Sequence, residues 1–193
     1  MSTLSQHTIP LPWRKRRPPG RVGGPEVMTS LTEKESETLA DLAVGKRVLE
    51  VGAAYGYSSL CMAPGASVVY SVDHHQHLAS LSLMEANLRA YGLADKVVMI
   101  VGSSRTVLPL LPNAYFDLVF IDGDHGSEGV RFDAEHANLL VKPGGVIAFH
   151  DYNEASCVEV APTLDAVYNT RGWLRRLVDT LLLVQRPESG VTL

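Results

Sequence analysis

Acidic side chains stand at the ends of four of the five apolar runs that the sequence predicts to be buried strands. They are Glu50, Asp73, the segment Asp122-Gly123-Asp124-His125 and the pair His150-Asp151. In a doubly wound α/β sheet, ligands bind outside the carboxyl ends of the strands, beside the point where the strand order reverses. Ordinary solvated loops would carry some acids, but not one at nearly every such edge. We therefore predict that these side chains belong to one binding site.

A glycine turn follows the first of these strands. Val48–Val51 predicts a buried strand, Gly52 breaks it, and a helix-compatible segment resumes after Gly56. A strand, a glycine-bearing turn and a helix start form the front of a nucleotide-binding α/β unit. The pattern lacks the Gly-x-Gly-x-x-Gly fingerprint, so a pyrophosphate cradle is poorly supported. Glu50 beside the turn suits a ligand that carries an amino group, and an ordinary βα turn is the alternative interpretation.

Two further residues indicate what the ligand contains. Asp73 lies one strand over from the glycine turn, where a carboxylate can accept hydrogen bonds from both hydroxyls of a ribose. Ser104, in the loop after the third strand, is placed to meet an adenine edge. Each signal is weak by itself, and together they indicate a ligand that contains adenosine.

The acids after the fourth and fifth strands raise the question of a metal. Because these strands should be neighbours, about 4.8 Å apart, Asp122 and Asp151 emerge side by side. Two such carboxylates repel each other unless they are protonated or bridged by a cation. Mg²⁺ would suit two carboxylates, whereas His150 would favour Mn, Fe or Zn. A divalent cation at this edge is the prediction, and a site without metal is the alternative.

These residues must be positioned by alternating strands and helices. Strands are predicted at residues 47–51, 68–72, 97–101, 116–121 and 146–149. The first helix is predicted to run from the capping box Ser30-Leu31-Thr32-Glu33 to Gly45, and the second from the glycine turn through Leu60. Further helices are predicted over about 75–91, 105–111, 127–141 and 162–170. The apolar runs Trp173–Val178 and Thr180–Val184 predict a C-terminal antiparallel hairpin. The predicted fold class is α/β, with a doubly wound, Rossmann-like, seven-stranded sheet that is mostly parallel.

The N-terminal segment differs in composition from the rest. Residues 1–30 are rich in proline and glycine and hold the cluster Arg14-Lys15-Arg16-Arg17 beside Trp13. This composition resists regular structure and predicts an arm over residues 1–30, followed by a single domain over residues 31–193. The arm is either a disordered tail or a segment, anchored by Trp13, that covers a site or a neighbouring subunit of a homodimer.

Composition bounds the partners. The chain has 193 residues, a net charge of −4 and a pI near 6.0, which argues against nucleic acid as the main partner. No apolar run approaches the ~20 residues of a membrane span, and the start of the sequence has no apolar signal core. We therefore expect no membrane partner and a cytoplasmic location. Cys61 and Cys157 are isolated and form no disulfide framework.

With these motifs in view, the sequence resembles the class I S-adenosylmethionine-dependent methyltransferases. Glu50-Val51-Gly52-Ala53 resembles their first motif and Asp73 their ribose-binding acid. The segments 121–125 and 143–152 resemble the small-molecule O-methyltransferases related to the catechol and caffeoyl-CoA enzymes, and more closely the methyltransferase 24 family. The resemblance covers roughly residues 26–185 and implies methyl transfer from S-adenosylmethionine to a hydroxyl of a small molecule.

The resemblance also implies a set of site residues. The cofactor-binding residues would be Glu50, Gly52, Ala53, Tyr57, Ser58, Asp73, His74, Ser104, Asp122 and His125. Mg²⁺ or another divalent cation would bind Asp122, His150 and Asp151, although relatives of the catechol type carry an Asp-Asn pair where this chain has His150-Asp151. His125 replaces the lysine that takes the hydroxyl proton in those relatives, so His125 and Asp122 are the predicted catalytic residues.

Several alternatives stay open at this point. His125 could instead stack beside the adenine, and Met28 could contact the methyl donor or simply pack. The enzyme could be independent of metal, or the chain could bind S-adenosylmethionine without catalysis. An NAD-dependent oxidoreductase is disfavoured by the missing fingerprint.

Overall fold

The computed structural model describes residues 14–20, 23–77 and 79–188. Its strands and α-helices, in chain order, are β1 (Arg14–Arg16), β2 (Val27–Thr29), α1 (Glu33–Leu42), β3 (Arg47–Val51), α2 (Tyr57–Met62), β4 (Val68–Asp73), α3 (Ser80–Ala90), β5 (Val97–Val101), α4 (Ser104–Val107), β6 (Phe116–Ile121), α5 (Ser127–Leu140), β7 (Val141–Phe149), α6 (Val160–Tyr168), β8 (Leu174–Val178) and β9 (Leu181–Gln185). Short 3₁₀ turns occupy Ala94–Lys96 and Leu108–Leu110.

The large sheet has seven strands in the order β5-β4-β3-β6-β7-β9-β8. Its first five strands are parallel, and β9 pairs antiparallel with both β7 and β8. The predicted mostly parallel, doubly wound sheet with a C-terminal hairpin is therefore confirmed. The strand order reverses between β3 and β6, so the crevice expected of this architecture opens at their carboxyl ends.

Apolar side chains cover both faces of the sheet. One face packs Val48 and Phe120 against α1, α2 and α3, and the other packs Leu49 and Val119 against α5 and α6. Strands β3 and β6 are buried at nearly every position, as near-continuous apolar runs in a parallel sheet require. This burial fixes the strand ends from which the polar residues project.

Helix boundaries depart from the sequence prediction at α1 and α3. The capping box at the start of α1 is formed by Thr32 and Glu35, two residues after the predicted Ser30–Glu33 box. Helix α3 begins at Ser80 rather than near His75. His75 has φ 49° and Ala79 has φ 62°, and these left-handed conformations cannot continue a right-handed helix.

Two predicted loops form strands instead. Strand β7 runs straight from the end of α5 through Pro143-Gly144-Gly145, with a register shift between Phe116 and Leu118 of its partner β6. In the N-terminal segment, β1 and β2 pair antiparallel, so the prediction that residues 1–30 resist regular structure is wrong for these two stretches. Trp13 and His7 lie outside the described residues. Among the described residues, no helix is long and apolar enough to cross a membrane.

Candidate active site

A cavity of about 920 Å³ opens at the carboxyl ends of the central strands. This volume lies at the upper end of the range for small-molecule sites. All the predicted site residues except Glu50 line it: Gly52, Ala53, Tyr57, Ser58, Asp73, His74, Ser104, Asp122, His125, His150 and Asp151. The fold thus brings the predicted ribose, adenine and metal residues to one continuous space.

Gly52 allows the turns after β3 and β6 to meet. Its φ is 88°, and a Cβ atom at this position would lie 1.9 Å from the carbonyl oxygen of Asp122. A side chain there would therefore overlap backbone as well as strain the turn. Only glycine lets Asp122 stand directly beside the turn.

Asp73 organises the neighbouring edge. Its Oδ2 accepts a hydrogen bond from the backbone N–H of Ala54 at 2.8 Å, and its Oδ1 accepts one from the backbone N–H of His75. The ring nitrogen Nδ1 of His74 lies 3.5 Å from the same Oδ1. Because each carboxylate oxygen has two lone pairs, Asp73 can bind the backbone after β3 and the backbone after β4 and still accept hydrogen bonds from ligand hydroxyls.

Glu50 differs from its prediction. It is fully buried beneath the glycine turn and does not line the cavity. Its carboxylate accepts hydrogen bonds from the hydroxyls of Ser58, Ser59 and Ser71. Burial raises the pKa of Glu50. Instead of contacting an amino group directly, Glu50 holds Ser58, which does line the cavity.

Three potential metal ligands converge on the opposite side of the cavity. Nδ1 of His150 lies 3.3 Å from Oδ1 of Asp122 and 3.1 Å from Oδ1 of Asp151. This nitrogen is buried and aligned with neither oxygen, so it makes no directed hydrogen bond among the described residues. The two carboxylates and the imidazole therefore present an oxygen, nitrogen and oxygen set within 4.8 Å of one another.

A buried acid from α1 completes this cluster. Oε2 of Glu35 lies 3.3 Å from Nε2 of His150, and both side chains are almost completely buried. Burial by itself lowers the pKa of His150, but Asp122, Asp151 and Glu35 together raise it well above its ordinary value. For Glu35, burial by itself would raise the pKa, but the hydrogen bond and the charge of His150 lower it to about 2. Glu35 was not predicted as a site residue, and only its capping-box spacing distinguishes it in the sequence.

His125 belongs to the same cluster. Its Nε2 lies 2.8 Å from Oδ2 of Asp151 and 4.0 Å from Oδ1 of Asp122. The hydrogen bond to Asp151 raises the pKa of His125, against the lowering effect of burial. Burial would raise the pKa of Asp151, but the hydrogen bond with His125 and the adjacent ring of His150 hold it well below the ordinary range. The residue with the largest effect on the pKa of His125 is therefore 26 positions away in the sequence.

The N-terminal hairpin and the β8–β9 turn contribute lining residues that the sequence did not single out for the site. Arg16 and Thr29 come from the hairpin, Thr180 from the turn, and Cys157 from the segment before α6. Met28, which the sequence left undecided, also lines the cavity. Their positions depend on how distant segments fold over the sheet, which the spacing of residues in the sequence does not indicate.

Comparison with known proteins agrees with this architecture. A catechol O-methyltransferase of Mycobacterium tuberculosis is 32% identical over 139 residues, which cover 65% of this chain and 61% of that protein. The crystal structure of cofactor-bound Rv0187 from MTB superposes with a TM-score of 0.69 at 26% identity, covering 82% of both chains. The O-methyltransferase TomG from Streptomyces achromogenes, in complex with SAM, has a TM-score of 0.65 at 18% identity, covers 82% of this chain and 81% of its own, and shares the fold.

The sheet order and the site at its reversal point define a Rossmann-like protein of the methyltransferase type. A family model described as a methyltransferase domain matches residues 49–152, and the chain belongs to this methyltransferase 24 family. The chain spans about half to three fifths of the length of the curated relatives it matches.

Proposed function

We propose that this protein transfers a methyl group from S-adenosylmethionine to a hydroxyl of a small molecule, with a divalent cation held by Asp122, His150 and Asp151. One observation carries the proposal. Asp73, at the end of β4, and the Asp122–His150–Asp151 cluster, at the ends of β6 and β7, line the same cavity. An acid suited to a ribose and a cluster suited to a cation thus face one space, with His125 beside the cluster.

The residues present suit an adenosine-containing cofactor. The turn after β3 is glycine-bearing and lies against the backbone of Asp122, so its chain can approach a ligand closely. Asp73 has acceptor capacity left after bonding Ala54 and His75. Ser104 stands at the first turn of α4, on the side expected to hold the adenine.

The residues present also suit a divalent cation. Nδ1 of His150 is buried, lacks a directed hydrogen bond among the described residues and lies between two carboxylates. Its other ring nitrogen faces Glu35, and such a carboxylate–histidine pair is the usual way to orient an imidazole toward a metal. The mixed oxygen and nitrogen donors favour Mn²⁺, Fe²⁺ or Zn²⁺ more than an all-oxygen set would.

The chain's own residues then have separate tasks. The cofactor supplies an electrophilic methyl group, and a bound cation makes a nearby hydroxyl more acidic. The protein must hold the acceptor oxygen in line with the methyl group and the sulfur, which is mainly a matter of orientation. If Nε2–H of His125 donates to Asp151, Nδ1 of the ring is left to accept the hydroxyl proton. Asp151 would thus orient the base that deprotonates the acceptor.

A specific observation favours a second candidate, a methyltransferase that needs no metal. The pKa of His150 is raised well above its ordinary value, so its imidazole would be positively charged at neutral pH. A buried imidazolium between Asp122 and Asp151 would itself neutralise them. A bound cation would have to displace this proton.

Labelled S-adenosylmethionine and a panel of hydroxylated metabolites test the proposal. Since a relative is named a catechol O-methyltransferase, phenols with adjacent hydroxyls stand first in the panel. The expected result is label transfer that requires both an acceptor and a divalent cation. Transfer that persists in excess EDTA would support the metal-independent candidate. Tight cofactor binding without transfer to any acceptor would indicate a binding protein instead.

A further inference from the structure

A second group of possible metal ligands adjoins the first. It consists of a ring nitrogen of His125, a carboxylate oxygen of Asp151 and the sulfur of Cys157, which lie within 4.8 Å of one another. In a tetrahedral site with metal bonds of about 2.0–2.3 Å, ligand atoms stand about 3.3–3.8 Å apart, so side-chain rotations that move the ligand atoms by about 1 Å would let this set bind one cation. All three residues line the cavity.

The fold brings Cys157 to this position through successive tight turns. The backbone N–H of Glu154 donates to the carbonyl of Asp151 at 3.2 Å, and that of Cys157 donates to the carbonyl of Glu154 at 2.9 Å. These turns fold the segment after β7 back over its own start. A thiol six residues from Asp151 therefore returns to its carboxylate.

Asp151 connects the two groups of ligands. Its Oδ1 lies 3.1 Å from Nδ1 of His150, whereas its Oδ2 lies 2.8 Å from Nε2 of His125. A carboxylate whose two oxygens face different ligand sets is arranged to bridge two cations, which lie about 3.5–4 Å apart in two-metal sites.

We propose that His125, Asp151 and Cys157 form a second cation site, selective for Zn²⁺ and similar thiolate-binding ions and joined to the Asp122–His150–Asp151 site through Asp151. The two sites should prefer different ions, because the thiolate of Cys157 selects Zn²⁺ whereas Mg²⁺ takes oxygen ligands. Three protein ligands leave a fourth position open to the cavity, as in zinc sites that exchange small ligands. Cys157 would bind as the thiolate, releasing its proton to solvent.

Occupation of this site has a consequence that rests on the proposed function. An ion bound to Nε2 of His125 would replace the hydrogen bond between this nitrogen and Asp151. It would also lower the basicity of the ring and occupy space beside the acceptor. Zn²⁺ should therefore inhibit methyl transfer that another divalent cation supports.

The binding site can be tested without any activity measurement. Metal-free full-length protein would be titrated with Co²⁺, as a spectroscopic probe for Zn²⁺, in an excess of Mg²⁺. We expect a near-ultraviolet thiolate-to-cobalt band, which Zn²⁺ abolishes and further Mg²⁺ does not. Cys157→Ser should remove the band and weaken Zn²⁺ binding, measured by calorimetry, at least tenfold. Cys61→Ala is the matched control, because Cys61 is buried in the core away from the cavity, and it should keep the band.

A second variant and a spectroscopic check distinguish the loss of a metal ligand from the loss of folded structure. His125→Ala should also weaken Zn²⁺ binding, and the circular dichroism of both variants should match the wild type. The proposal is overturned if the wild type gives no band, if the band survives Cys157→Ser, or if Mg²⁺ competes fully with Zn²⁺. Failure of the proposed methyl transfer would show in the labelled-cofactor assay and would leave this metal titration unchanged.

Discussion

Nε2 of His150 lies 3.3 Å from Oε2 of Glu35, a residue 115 positions earlier in the chain. The same Glu35 carboxylate accepts hydrogen bonds from the backbone N–H of Thr32 and from both the N–H and the hydroxyl of Thr180. One buried acid therefore ties the start of α1 and the β8–β9 turn to the histidine in the cavity. The orientation of His150 depends on all three segments.

This pairing predicts how stability responds to acid. The pKa of Glu35 falls from 4.5 to about 2 on folding. Its ionised carboxylate therefore adds to the free energy of unfolding fully above pH 4.5, and this stabilisation is lost as the pH falls through about 2. The shift corresponds to about 3 kcal/mol. His150 stays protonated throughout this window in both states, because its pKa is raised and not lowered. Glu35→Gln should therefore remove that pH dependence, as measured by urea unfolding between pH 5 and 2.

Glu33→Gln, on the exposed side of the same helix, is the control and should leave the acid dependence unchanged. If the free energy of unfolding changed with pH in the same way for the wild type and for Glu35→Gln, the pKa of Glu35 would not be lowered by folding.

Gly52→Ala tests the contact between the turns after β3 and β6. A Cβ atom there would overlap the Asp122 carbonyl oxygen, in addition to the strain of a positive φ. Gly45 also has a positive φ, 71°, but its Cβ would meet no atom within 4 Å. Gly45→Ala should cost about 1–2 kcal/mol of unfolding free energy, and Gly52→Ala about 4 kcal/mol or more. Equal losses in denaturant unfolding would contradict the close approach.

The central sheet was predictable because its signal is local. Val48–Val51 and Phe116–Ile121 are apolar at nearly every position, and a parallel strand buried on both faces requires this. Gly52 follows β3 directly and Asp73 is the last residue of β4, so the sheet topology alone carries them to the same edge. Residues next to strand ends were therefore placed correctly at the cavity.

The contacts of Glu50 and Glu35 were not predictable in this way. Glu50 pairs across the sheet with Ser71, so its side chain points into a buried cluster of hydroxyls rather than into the crevice. That direction depends on strand pleating and register, which the motif does not encode. Glu35 meets His150 only after α1 has packed beside the end of β7. Contacts between segments so far apart have no signature in the spacing of residues.

Cofactor binding predicts a thermal shift. S-adenosylhomocysteine at a hundredfold excess over its dissociation constant should stabilise the fold by about 2.7 kcal/mol. Asp73→Asn keeps an acceptor for Ala54 but loses the charge, and should weaken binding about tenfold or more, consistent with about 1.5–3 kcal/mol for a hydrogen bond to a charged group. Asp95→Asn, on the exposed surface, should bind as the wild type does. Stabilisation by NAD and not by S-adenosylhomocysteine would refute the cofactor assignment.

Metal dependence should follow the carboxylates at the ends of β6 and β7. A chelator is expected to abolish methyl transfer, and Mg²⁺ or Mn²⁺ to restore it. Asp122→Asn should behave as the metal-free enzyme does, because one charged ligand of the cation is lost. The exposed Asp41→Asn provides the matched charge change and should stay metal-dependent. Full activity in excess EDTA would leave the His150 imidazolium as the group that neutralises the two aspartates.

The final prediction concerns His125 as the base. Only the neutral ring can take a proton, and the hydrogen bond to Asp151 raises the pKa of His125, so kcat should rise with pH through an ionisation above the ordinary histidine value of 6.5. His125→Ala should lower the rate by about 10²–10⁴-fold and leave S-adenosylhomocysteine affinity nearly unchanged. His125→Lys should recover part of the rate, with its pH dependence moved upward toward that of an amine. His136→Ala, whose ring stacks on Phe132 away from the cavity, should keep the wild-type pH profile. An alanine variant that stays within about threefold of the wild-type rate, far from the loss expected for a base, or that loses cofactor affinity instead, would make His125 a residue that packs against the adenine.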